Sequence, residues 1–273
     1  MLNRLGHRQL DHFRMRFSTR DLAILASLRE HRFLTAQQII RLHFYGHATQ
    51  PAGARACSRV LERLQRLRTI ARIQRRIGGT GGGSTSQVWT LDINGHRLLT
   101  QNKTGRSHFD PSLTFLAHTL AVAETRVTLE EIARRNSLRL AHVEIEQTAW
   151  RQFIGTGGQS LWLKPDLAAV LSDDEFDDRW FIEVDLGTES LKTLLGKCAV
   201  YESYRKTGKE QASHEVFPRV LWLTTTQRRA DQLRNALANS RSLHPRLFTV
   251  ARFDEIGAII TDQPPLNGKE ERA

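Results

Sequence analysis

The chain has 273 residues, 40% apolar and 25% charged, a length that accommodates two domains with a core each. No apolar run approaches the roughly 18–20 residues of a membrane span, and no secretory leader is legible, so a cytoplasmic protein is expected. The net charge of +11 is unevenly spread: residues 1–110 carry 19 Lys/Arg, 18 of them Arg, against 6 Asp/Glu, while the remainder carries 21 against 23. A basic first part on a near-neutral second part suits a polyanion, and Arg-rich surfaces favour bidentate phosphate and guanine contacts. No long lipophilic amphipathic segment supports a membrane surface as that polyanion. Cys57 and Cys198 lie apart on apolar helix faces and read as buried small hydrophobes, not as a metal cluster.

In chain order, residues 1–17 read as a basic arm that docks on the domain or tracks along DNA. Ser18-x-x-Asp21 is a capping-box start, predicting a helix over 19–30 with Leu22, Leu25 and Leu28 inward. Thr35-x-x-Gln38 caps a second, short helix, and the stretch HFYGHATQPAG reads as a break. A third helix is predicted over 54–68. At about 100° per residue, Arg55, Arg59, Arg63 and Arg66 fall in one narrow sector, and Cys57, Val60, Leu61, Leu64 and Leu67 gather opposite. As the third helix of a tri-helical unit it would be the one to enter a major groove. A hairpin follows, ARIQRRI and QVWTLD around a Gly-rich turn, carrying Arg72, Arg75 and Arg76 as a wing. The turn lacks the Gly-Lys-Ser/Thr ending of a phosphate loop and does not lead straight into a helix, so a nucleotide site is set aside.

A short helix and a polar stretch, 94–111, form the expected linker. A long helix over 111–135 follows, bearing Leu113, Leu116, Leu120 and Val127 together with His118 and Glu124. Then come a strand, LRLAHVEIEQTAW, and two antiparallel strands, LWLKPDLAAVL and RWFIEVDL, around the acidic turn SDDEFDD. A helix from near 188 to 204 and two further strands with a helix between them complete the order. The Pro-rich tail, 262–273, reads as disordered. Asp166, Glu183 and Asp185 stand in otherwise apolar strands, and residues two apart share a side, so the three carboxylates are expected to converge. Unrelieved, they would repel and be costly to desolvate; a hard divalent cation would relieve them.

Pro165-Asp166 followed by Glu183-x-Asp185 between a strand and a helix resembles the PD-(D/E)xK phosphodiesterase superfamily. More narrowly, EVDLGTES, the following Leu194-x-x-Lys197 and the pair Tyr201/Tyr204 resemble the replication-relaxation family of mobile-element proteins. The resemblance implies an α/β (α+β) fold: a winged helix-turn-helix over 18–93, then, after the linker, a PD-(D/E)xK, restriction-endonuclease-like αβββαβ domain over 112–261. It implies Mg2+ held by Asp166, Glu183 and Asp185, with Glu124 on the first helix as a further ligand or a solvated carboxylate. His118 corresponds to a recurrent family His, or packs against the sheet. The superfamily's Lys two residues after the Glu is here Asp185. Either Lys197, or less aptly Lys192, has replaced that cation, or the fold persists as a scaffold with the acids paired to Lys197 or Lys164. Three functions follow: a double-stranded DNA-binding protein of a plasmid, phage or integrative element, acting in replication, mobilisation or transcriptional control; a Mg2+-dependent endonuclease with Asp166, Glu183, Asp185 and Lys197 catalytic; or a scaffold for a homodimer or a replication or mobilisation protein.

Overall fold

A computed structural model describes residues 17–73, 87–100 and 111–261, so the expectations for the arm, the linker's polar part and the tail lie outside the described residues. The chain is a mixed α/β protein that divides into two compact units, 1–127 and 128–273.

In the first unit, helix α1 (Thr19–His31) starts at Ser18, whose hydroxyl accepts from Asp21 N at 3.2 Å while Asp21 Oδ2 accepts from Ser18 N at 2.8 Å. Two orphan amides are thereby satisfied. A two-residue strand, β1 (Leu34–Thr35), leads into α2 (Ala36–His43), which Thr35 and Gln38 cap reciprocally. Helix α3 is Gln50–Arg66, one turn longer at its start than the sequence suggests. Thr49 caps it and Pro51 lies in its first turn, where a missing N–H removes nothing from the ladder. The Pro that reads as a breaker is an initiator.

Strands β2 (Ile70–Ile73) and β3 (Val88–Leu91) are antiparallel, with β1 on the far side of β3. Helix α4 (Ile93–Thr100) then packs so closely that a Cβ on Gly95 would sit 2.1 Å from Thr69 O. Only glycine fits there. Ile24, Leu25, Leu28, Ile39, Leu64 and Trp89 are the centre of the core. The first part of α5 (Leu113–Arg135) adds Leu116 and Leu120 against Phe33, Ile73 and Val88.

The second unit is built on a five-stranded sheet. Its strands are β4 (Arg139–Ile145), β7 (Leu167–Ser172), β8 (Asp177–Asp185), β9 (Arg219–Thr224) and β10 (Phe248–Arg252), in the order β10-β9-β8-β7-β4. The pairs β4/β7 and β7/β8 are antiparallel, while β8/β9 and β9/β10 are parallel. The run LWLKPDLAAVL, expected as one strand, is two. Its first half is β6 (Ser160–Leu163), which forms a separate hairpin with β5 (Arg151–Ile154). Its second half is β7. Pro165 separates them, because it lacks a ladder N–H and restrains the residue before it.

Helix α6 (Leu191–Arg205), capped by Ser190, buries Leu194, Cys198, Tyr201 and Tyr204 against the sheet; α7 (Lys209–His214), α8 (Gln227–Ala238) and α9 (Ile256–Thr261) complete the unit. At the sheet edge, Arg234 of α8 donates from Nε and Nη2 to Val250 O of β10, at 3.2 and 2.8 Å. Among the described residues, no helix is long and apolar enough to cross a membrane.

Candidate functional site

Two groups of side chains stand out, one in each unit. In the first, α3 buries Cys57, Leu61 and Leu64 and leaves Arg55, Arg59 and Arg66 exposed. Arg63 differs from its neighbours. Its Nη2 donates to Asp21 Oδ1 at 2.6 Å, and Asp21 is 1% exposed. Burial pushes the Asp21 carboxyl up, but Arg63 and the Ser18 hydrogen bonds outweigh it and the net shift is downward. Arg63 thus clamps α3 onto the start of α1, a task the exposed-face reading of this position misses.

Arg20, which the sequence reading passed over, joins the face: its guanidinium lies 4.8 Å from the Phe44 ring centroid. Arg20, Phe44, Arg59, Arg63, Arg66 and Glu62 line a shallow open hollow. Arg72 is exposed on β2, while Arg75 and Arg76 lie outside the described residues. Glu124 is held within this unit, ion-paired to Arg41 and accepting from Gln38 Nε2 at 3.1 Å.

In the second unit the carboxylates cluster where β7 and β8 meet α6. Leu167 pairs with Ile182, which places the preceding Asp166 beside Glu183, and Asp166 Oδ2 accepts from Val184 N at 2.8 Å. Glu183 is 2% exposed. Its Oε1 accepts from the Tyr201 hydroxyl at 2.7 Å, and Lys197 Nζ stands 3.7 Å from Oε2 and 2.9 Å from Glu189 Oε2. Burial first, and Asp166 second, raise Glu183 to about 8 against the opposing pull of Lys197 and Tyr201. Partial burial pushes Lys197 down, yet Glu183, Glu189 and Asp166 together carry it upward. Tyr201 is pushed well above its usual range by burial and by Glu183.

Asp185 faces the same side as Glu183, as strand alternation requires, but it is engaged elsewhere. Arg229 of α8 donates from Nε to Oδ2 at 2.5 Å and from Nη2 to Oδ1 at 3.3 Å, and Gly187 N donates to Oδ1 at 2.9 Å. Arg229 also donates to Glu189 O at 2.6 Å. Lys192 is exposed, and Lys164 lies 4.7 Å over the Trp150 ring.

Asp166, Glu183 and Lys197 therefore meet, while Asp185 belongs to an arginine lock. A hard divalent ion needs several free oxygens. Here Asp185 is saturated, Tyr201 holds one Glu183 oxygen, and Lys197 supplies positive charge beside the other. Among the described residues no group of three or more His, Cys, Asp or Glu side chains is arranged to hold a metal ion. As placed, these residues do not fit Mg2+. No motif spacing could have announced Arg229, which lies 44 residues beyond its partner.

A mixed α/β protein with an exposed arginine helix and a cation-saturated acidic cluster is the class these features define. The chain belongs to the replication-relaxation family, whose sequence model matches residues 25–220. Comparison with curated proteins and with solved structures gives no match.

Proposed function

We propose that this chain is a double-stranded DNA-binding protein of a plasmid, phage or integrative element, acting in replication, mobilisation or transcriptional control. Membership of the replication-relaxation family supports a role in replication or mobilisation. The first unit is read as a winged helix-turn-helix: its order is helix, strand, helix, helix, strand, strand, with the two last strands antiparallel. The second unit is read as a PD-(D/E)xK-like core kept as a scaffold. In it, three antiparallel strands are followed by a helix and a parallel strand.

The observation that carries the DNA reading is the exposed row Arg55, Arg59 and Arg66 on α3, with Arg20 beside it. Phosphate contacts from such a face supply affinity and a salt-dependent slope, while base-edge contacts supply sequence preference. The test is a fluorescence-anisotropy titration of duplex DNA with the parent and with Arg59→Ala/Arg66→Ala. Loss of both arginines should weaken binding by at least roughly thirtyfold, on the scale of about 1–3 kcal/mol per good contact, and flatten the dependence on salt. Unchanged affinity would remove α3 from the interface.

A second reading, a Mg2+-dependent endonuclease, is favoured by one observation: Lys197 Nζ lies beside Glu183 and on the side of Asp166, where a displaced catalytic cation would be needed. It would require Asp185 to leave Arg229, so the scaffold reading is preferred.

A further inference from the structure

The β5–β6 hairpin has two unlike faces. Phe153 and Leu163 point inward and belong to the core of the second unit. Gln152, Ile154, Ser160 and Trp162 point outward, paired across the hairpin as Gln152↔Trp162 and Ile154↔Ser160. Trp162 is 47% exposed and Ile154 59%. Trp150 meets the Trp162 ring at 6.4 Å in an edge-to-face arrangement, and Lys164 Nζ lies over Trp150. Gln152 Nε2 donates to the Ser160 hydroxyl at 2.9 Å, and Lys209 Nζ donates to Gln152 O at 3.3 Å. No acidic residue occurs between Gln147 and Lys164.

The exposed indole and the isoleucine diagonal to it form a small apolar patch rimmed by polar groups. The surrounding chemistry narrows the occupant. The outward face carries an amide and a hydroxyl beside the indole, Lys164 lies over the neighbouring Trp150, Lys209 is held on the Gln152 carbonyl, and the hairpin itself has no carboxylate, a setting that suits a polyanion with π faces. We propose that this face is a stacking platform for single-stranded DNA. A base lies on Trp162, Gln152 and Ser160 offer hydrogen bonds to its edge, and Lys164 and Lys209 neutralise the flanking phosphates. Stacking of this kind tolerates any base, because every base has a π face. This site adds to the duplex reading and is tested apart from it.

The experiment titrates the full chain into a labelled thymidine oligomer of about 15 nucleotides, in parallel with a duplex of mixed sequence. Trp162→Ala should weaken oligomer binding about tenfold while leaving duplex binding unchanged. Trp162→Phe, which keeps an aromatic face, should retain most of the affinity, and Lys164→Gln should lower it a few-fold with a shallower salt dependence. Oligomer binding by Trp162→Ala equal to that of the parent overturns the proposal. So does a sedimentation profile in which the parent self-associates and Trp162→Ala does not, since the face would then be an interface between copies. Loss of duplex binding in Arg59→Ala/Arg66→Ala with oligomer binding intact separates the two sites; loss of both together overturns the claim that the hairpin acts on its own.

Discussion

Replacing Glu183 by Gln tests the electrostatics of the carboxylate cluster directly. The amide keeps an acceptor for the Tyr201 hydroxyl and removes the charge that burial and Asp166 oppose. A carboxyl whose folded-state value rises from 4.5 to about 8 stabilises the fold fully below pH 4.5, and that contribution is lost as pH climbs through 8. Between pH 5.5 and 8.5 the integrated loss is about 3 kcal/mol. Lys197, shifted upward from 10.5, stays charged in both states across this window and adds no slope. Buried His31 and His43, depressed to about 3 and about 4 by burial and nearby Arg126, act in the other direction: their contribution is full above pH 6.5 and falls as pH drops. The informative quantity is therefore the difference between parent and Glu183→Gln, in which the histidines cancel. Urea denaturation followed by tryptophan fluorescence at a series of pH values measures it. The variant should gain on the parent by about 3 kcal/mol from pH 5.5 to 8.5. A constant difference across that range would show that Glu183 ionises at its ordinary value, and would refute the account of the cluster.

Arg63→Ala leaves the buried Asp21 carboxylate with only its Ser18 hydrogen bond and, as the guanidinium is part-exposed, should lower stability by about 1–2 kcal/mol, whereas Arg59→Ala and Arg66→Ala should leave the melting temperature unchanged; thermal unfolding of the three variants decides. Millimolar Mg2+ or Mn2+ should neither raise the melting temperature nor support nicking of supercoiled plasmid. A metal-induced rise abolished by Asp166→Ala, with cleavage lost in Lys197→Ala, would reinstate the endonuclease.

What was legible in the sequence was local or periodic. Ser18 and Thr35 announce their helices because an N-cap acts within three residues, and the arginine and apolar stripes of α3 follow from helical period alone. The antiparallel β7–β8 pair was legible from its two apolar runs and the acidic turn, where Asp173 accepts from the amides of Glu175 and Phe176. What escaped was set by distance or by context. An arginine on an exposed stripe reads the same whether it meets DNA or, like Arg63, a carboxylate 42 residues earlier. Pro51 and Pro165 are the same residue type in opposite settings: one lies in the first turn of a helix that Thr49 caps, the other between the strands β6 and β7. The register of β7 on β8 sets Asp166 beside Glu183. The fate of Asp185 depended on a helix that no motif ties to it.

The two hydrogen bonds from Arg234 to Val250 O have a consequence beyond the packing of α8. Strand β10 ends the five-stranded sheet, and a sheet that stops at a parallel edge offers unpaired backbone groups to any extended chain that drifts past. A guanidinium seated on the middle carbonyl of a five-residue strand interrupts that row at its centre and sets a cation where an incoming strand would lie. Among the described residues, Arg234 thus helps to guard this edge against pairing with another chain.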